Sequence, residues 1–93
     1  MKKYVILIPI YNDRESLTKL IENINSEIEG INSEISIVVI NDASSQQIID
    51  DYQNTENINS IEIVNMKENR GHARCIASGL KYIYEKKEFD YVI

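Results

Sequence analysis

The chain has 93 residues, 43% of them hydrophobic, and a formal net charge of −5 with a sequence pI of about 4.8. That length holds one domain at most, and the apolar share suits a packed core rather than a disordered segment. The acidic balance argues against the basic face that a phosphate-backbone binder carries, so no nucleic-acid partner is expected.

The first apolar run is Val5-Ile6-Leu7-Ile8, which passes directly into Pro9, Ile10, Tyr11, Asn12 and Asp13. Continuous β-branched runs of this kind fit strands covered on both faces, as in a parallel sheet. Leu17, Leu20, Ile21, Ile24 and Ile28 then recur at helical spacing and predict one apolar stripe on a first helix. Asn12 is placed to cap its start with Glu15 three residues on, and Gly30 suits a position just past its end. Residues 35–40 repeat the buried-strand pattern. Ser44 or Ser45 can cap a short second helix carrying Ile48, Ile49 and Tyr52, and the polar residues 53–60 read as a solvated loop. Ile61 and Ile63 alternate with polar neighbours, as on a less buried edge strand. A third helix is predicted from Ala73, Ile76, Ala77, Leu80, Ile83 and Tyr84, and residues 89–93 resemble the start of a fourth strand.

Strands alternating with helices predict an α/β fold, a Rossmann-like parallel sheet in the order 3-2-1-4 with helices on both faces. Such a sheet reverses its winding beside the first strand, and ligands bind there, outside the carboxyl ends of the strands. Three segments converge on that crevice: residues 9–13, residues 41–45 and residues 69–74. Asp42 can accept hydrogen bonds from a base or ribose, and it suits equally the capping of a following helix. Tyr11 offers a ring to stack on a planar base, or to pack on the neighbouring loop. Gly71 with Arg70 and Arg74 opens a helix, whose free amides and positive dipole end attract phosphate. His72 is the only histidine, so no histidine-based metal cluster is present. No P-loop and no G-x-G-x-x-G fingerprint occurs.

Cys75 is the single cysteine, which excludes an intrachain disulfide and fits a reduced thiol packed as a small hydrophobe. No apolar run reaches the ~18–20 residues of a membrane span, and the run after Lys2 and Lys3 is too short for a signal peptide. A soluble, cytoplasmic chain is expected.

Taken together, "VILIPIYND", "IVVINDAS" and "NRGHARCIASGLKYI" resemble three successive motifs of the family 2 glycosyltransferases, inverting enzymes with the GT-A fold. The resemblance runs along essentially the whole chain, with polyprenyl-phosphate glycosyltransferases the nearest in flavour. Asn41 departs from it, standing where the family often has a first aspartate. The resemblance implies that residues 1–93 form a single partial domain, the nucleotide-sugar-binding half of a glycosyltransferase. Pro9 and Tyr11 would border the nucleobase and Asp13 would lie near the base or ribose. Asp42 would bind base or ribose, and Gly71 would let the helix start approach the nucleotide, with Arg70 and Arg74 as neighbours. It also implies a UDP- or GDP-linked hexose donor, a membrane lipid as a candidate acceptor, and in the longer protein a place at the cytoplasmic face of the membrane. In the complete enzyme Mg²⁺ or Mn²⁺ is held by a D-x-D motif that would lie beyond residue 93, as would the catalytic base. The 93 residues alone are therefore expected to be inactive. The alternative is a non-catalytic nucleotide-binding or self-associating α/β fragment, with a homodimer built around residues 89–93.

Overall fold

The computed structural model describes residues 1–42, 55–67 and 71–93. The elements run β1 (Lys2–Ile10), α1 (Arg14–Glu27), β2 (Ser33–Asn41), β3 (Ser60–Asn65), α2 (His72–Lys86) and β4 (Tyr91–Val92). All three strand pairings are parallel, and the sheet order is β3-β2-β1-β4, the order expected. The helix expected from Ile48, Ile49 and Tyr52, with its serine caps, lies outside the described residues.

Side chains alternate across the sheet, so each face collects its own core. Ile8 and Ile10 of β1 with Ile37 and Val39 of β2 pack under Leu17 and Ile21 of α1. On the opposite face Val5, Val38 and Ile40 pack under Cys75 and Ile83 of α2. The near-continuous hydrophobicity of β1 and β2 thus has its cause: both faces are covered by helices. β3, at the edge, is only half buried.

α1 begins one residue later than the capping pattern suggests. Asp13 occupies the cap position without a side-chain bond, its carbonyl accepting from the Leu17 amide at 3.1 Å. Asn12, expected as the cap, instead takes φ +50° and turns the chain out of β1, a conformation asparagine tolerates better than most residues. Leu20, expected inward, is exposed, and Asn25 is buried in its stead. Asn25 Oδ1 accepts from the Asn57 amide at 2.7 Å, while Asn57 Nδ2 donates to the Asn25 carbonyl at 2.9 Å. This pairing draws residues 55–59 against α1 and seats Ile58 in the core, so that part of the chain is no mere solvated loop.

α2 differs more. Its inward face is Cys75, Gly79 and Ile83, whereas Ile76, Leu80 and Tyr84 of the predicted stripe are exposed, Tyr84 to 80%. Gly79 explains the choice. A Cβ there would lie 2.6 Å from Leu7 Cδ1 and 2.9 Å from Ile40 Cγ1, so the helix rests on the sheet at contact distance. Only the side with the small residues allows that approach. At its far end, the Glu62 carboxylate on β3 accepts from the Tyr82 hydroxyl and pairs with Lys87.

β4 is short but tied. The Ile93 amide donates to the Val5 carbonyl at 2.9 Å and the Leu7 amide to the Ile93 carbonyl at 3.0 Å. The rings of Tyr4 and Tyr91 stack at 5.3 Å between centroids. No helix among the described residues is long and apolar enough to cross a membrane.

Candidate functional site

Parallel strands carry their carboxyl ends to one edge, and the reversal of winding beside β1 opens a crevice there. Pro9 lies opposite Ile40, and Ile10 opposite Asn41, so the last residues of β1 and β2 end side by side. One step on, the Asp42 amide donates to the Ile10 carbonyl at 2.9 Å, which extends the ladder past the last paired residue. On β3, Asn65 stands opposite Asn41, and Asn41 Nδ2 donates to Asn65 Oδ1 at 2.9 Å. The position where the family often has an aspartate therefore serves here as a neutral amide clasp between two strands.

Asp42 is the centre of the arrangement. Its Oδ2 accepts from the Gly71 amide at 2.9 Å. Asp42 is 1% exposed and Cys75 fully buried. Burial, and after it the neighbouring Asp42 carboxylate, pushes the Cys75 thiol up from 9.0 to about 11. The sequence left Asp42 open between ligand contact and capping. Its carboxylate accepts from the amide at the start of α2, and the helix expected directly after Asp42 lies outside the described residues.

Gly71 makes the link. It has φ +81° and ψ 161°, a backbone conformation that is essentially confined to glycine. From there its amide reaches Asp42, while its carbonyl accepts from the Cys75 amide at 3.0 Å as the first turn of α2 closes.

The structure thus brings Pro9, Asp42 and Gly71 together at the carboxyl edge. Tyr11 follows Pro9 and is 47% exposed, and Asp13 is exposed at the start of α1. Arg74 is exposed on the first turn of α2. Arg70 lies outside the described residues. Sequence reasoning passed over the bond from Gly71 to Asp42, which joins residues 29 apart in the chain. Among the described residues no three His, Cys, Asp or Glu side chains gather as a metal site.

A parallel sheet in this order belongs to the doubly wound, Rossmann-like α/β class, whose ligands bind at the carboxyl ends of the strands beside the switch point. The comparison of sequences narrows the class. The model for Glycosyl transferase family 2 matches residues 5–93, nearly the entire chain, and the protein belongs to that family. Its substrates are accordingly a nucleotide-sugar donor and an acceptor.

Proposed function

We propose that this chain forms the donor-binding part of an inverting glycosyltransferase, with the crevice at the ends of β1 and β2 as the nucleotide site. The observation that carries the reading is the meeting of β1, β2 and the α2 start on one carboxylate, Asp42. Asp42 accepts from the base or the ribose of a UDP- or GDP-linked hexose. The exposed ring of Tyr11 stacks on the base beside Pro9, with Asp13 near the ribose. Gly71 has no atom within 4 Å of where a side chain would begin, so the nucleotide can come close to the helix start. Amides and positive dipole at the α2 start, with Arg74 on its first turn and Arg70 before it, attract the diphosphate.

In a complete enzyme a divalent cation would supply Lewis-acid stabilisation of the leaving diphosphate. No step proposed for this chain depends on one. The same reading makes a lipid-linked acceptor at the cytoplasmic face of a membrane the substrate to test first. It also keeps a homodimer through the β4 end in play, where Tyr91 and Ile93 are exposed.

A second reading has its own support. Asp42 is buried and already engaged by α2, as a structural anchor would be in a non-catalytic fragment. Calorimetric titration with UDP and with GDP separates the two. Asp42→Asn keeps an acceptor for the Gly71 amide but removes the charge. On the donor-site reading it weakens binding by about 1.5–3 kcal/mol, the value of a hydrogen bond to a charged group. Unchanged affinity in Asp42→Asn would leave Asp42 as an anchor only.

A further inference from the structure

We propose that Asn65 is a specificity residue of the donor site: held by Asn41, it turns its amide Nδ2 outward as a donor to a ring carbonyl of the nucleobase. This rests on the donor-site reading above, in the form where Asp42 meets the base, and adds to it a residue from β3.

Three strands end level at the carboxyl edge, for Ile10 stands opposite Asn41 and Asn41 opposite Asn65. Side chains at paired positions of neighbouring strands leave the same face, so the two amides meet. Asn41 is 6% exposed, and its Nδ2 donates to Asn65 Oδ1 at 2.9 Å. The backbone behind them is fixed as well, since the Met66 amide donates to the Asn41 carbonyl at 2.8 Å. A side-chain amide has one acceptor end and one donor end. With the Asn65 oxygen turned to Asn41, the end directed away from the clasp is Nδ2, on an exposed residue. Asp42 follows Asn41 directly and brings its carboxylate to the same edge. The edge thus carries an acceptor at the end of β2 and a donor at the end of β3.

That combination matches an oxo base. On their pairing edges uracil and guanine set a ring N–H beside a carbonyl, whereas cytosine and adenine set a bare ring nitrogen beside an amino group. Asn41 fixes the polarity. An aspartate there has no N–H to give, so Asn65 would turn its Nδ2 inward to keep the clasp and show Oδ1 instead. Position 41 therefore governs what position 65 offers without itself touching the ligand.

The test titrates UDP, GDP, CDP and ADP calorimetrically into the whole chain. Its readout is the ratio of UDP to CDP affinity and of GDP to ADP affinity, which a uniform loss from added charge or lower stability does not move. Wild type should favour the oxo bases at least about tenfold. Asn65→Asp keeps the oxygen that Asn41 holds and should cut that preference about tenfold. Asn41→Asp should cut it similarly, by reversing the amide. If Asn41→Asp does not fold, Asn65→Asp, in which the clasp is intact, decides the matter. Equal wild-type affinities, or ratios that Asn65→Asp leaves unchanged, overturn the assignment of Asn65 while the donor site stands. A preference lost in Asn65→Asp but kept in a folded Asn41→Asp overturns the control by position 41. A wild-type chain that binds none of the four nucleotides overturns the donor-site reading and this inference with it.

Discussion

Replacing Gly71 with alanine tests the hinge on which the site depends. The residue has φ +81° and ψ 161°, and an added Cβ would meet nothing within 4 Å. No contact term enters, so the cost is one of backbone strain, about 1–3 kcal/mol for a residue in this region. Against it stands the smaller entropy of an unfolded chain carrying alanine, worth about 0.4–1 kcal/mol. The net expectation is a loss of roughly 0.5–2 kcal/mol of stability. If the backbone relaxes to escape the strain, the Gly71 amide turns away from Asp42, and the lost charged hydrogen bond costs about 1.5–3 kcal/mol instead. Urea unfolding followed by circular dichroism measures the loss. Gly30→Ala is the control, for Gly30 also has a positive φ, +82°, and open space around it, but lies at the end of α1 away from the crevice. Both variants should be destabilised, and only Gly71→Ala should also weaken UDP or GDP binding. A Gly71→Ala chain as stable as wild type would refute the argument, because it would show that the conformation binding Asp42 to α2 carries no strain in an L-residue.

Gly79→Ala should destabilise the chain in spite of alanine's better helix propensity. The new Cβ at 2.6 Å from Leu7 Cδ1 calls for overpacking relief of about 1–3 kcal/mol against a gain of about 1 kcal/mol, and urea unfolding reads the difference. The Cys75 thiol gives an alkaline signature. Its folded-state pKa of about 11 lies above the ordinary 9.0, so its contribution is complete below pH 9.0 and is lost as pH rises through about 11. Wild type should thus lose about 2–3 kcal/mol more than Cys75→Ala between those limits in unfolding free energy. A parallel pair of curves would contradict this. Glu62 acts at the other end of the scale. Burial by itself raises its pKa, but the bonds from Lys87 and Tyr82 outweigh that and leave it below the ordinary 4.5. Its contribution is present above 4.5 and is lost as pH falls through the lowered value, so Glu62→Gln should flatten the acid limb of the stability curve.

How far the sequence reached can be judged element by element. β1 and β2 were legible because a strand covered on both faces must be apolar at nearly every position, and residues 5–8 and 35–40 are. Their order in the sheet followed from the same signal: the two fully apolar strands belong in the middle and the alternating one at the edge. The convergence of residues 9–13, Asp42 and Gly71 followed from topology, since parallel strands send all their carboxyl ends to one side. Periodicity found α2 and its buried Ile83, but because it weighs large apolar residues it also placed Ile76, Leu80 and Tyr84 on the inward face, where they are not. What decided that helix was the distance to the sheet, which admits the side bearing Cys75 and Gly79 and rejects the bulkier one. Asn25 and Asn57 escaped for a related reason, because a buried amide is affordable only beside its partner, and that partner lies 32 residues away. Local pattern thus determined which segments are strands and helices and where the crevice opens. The anchoring of Asp42 was decided in three dimensions alone, by a helix start close enough to the sheet to put the Gly71 amide, 29 residues further along the chain, against its carboxylate.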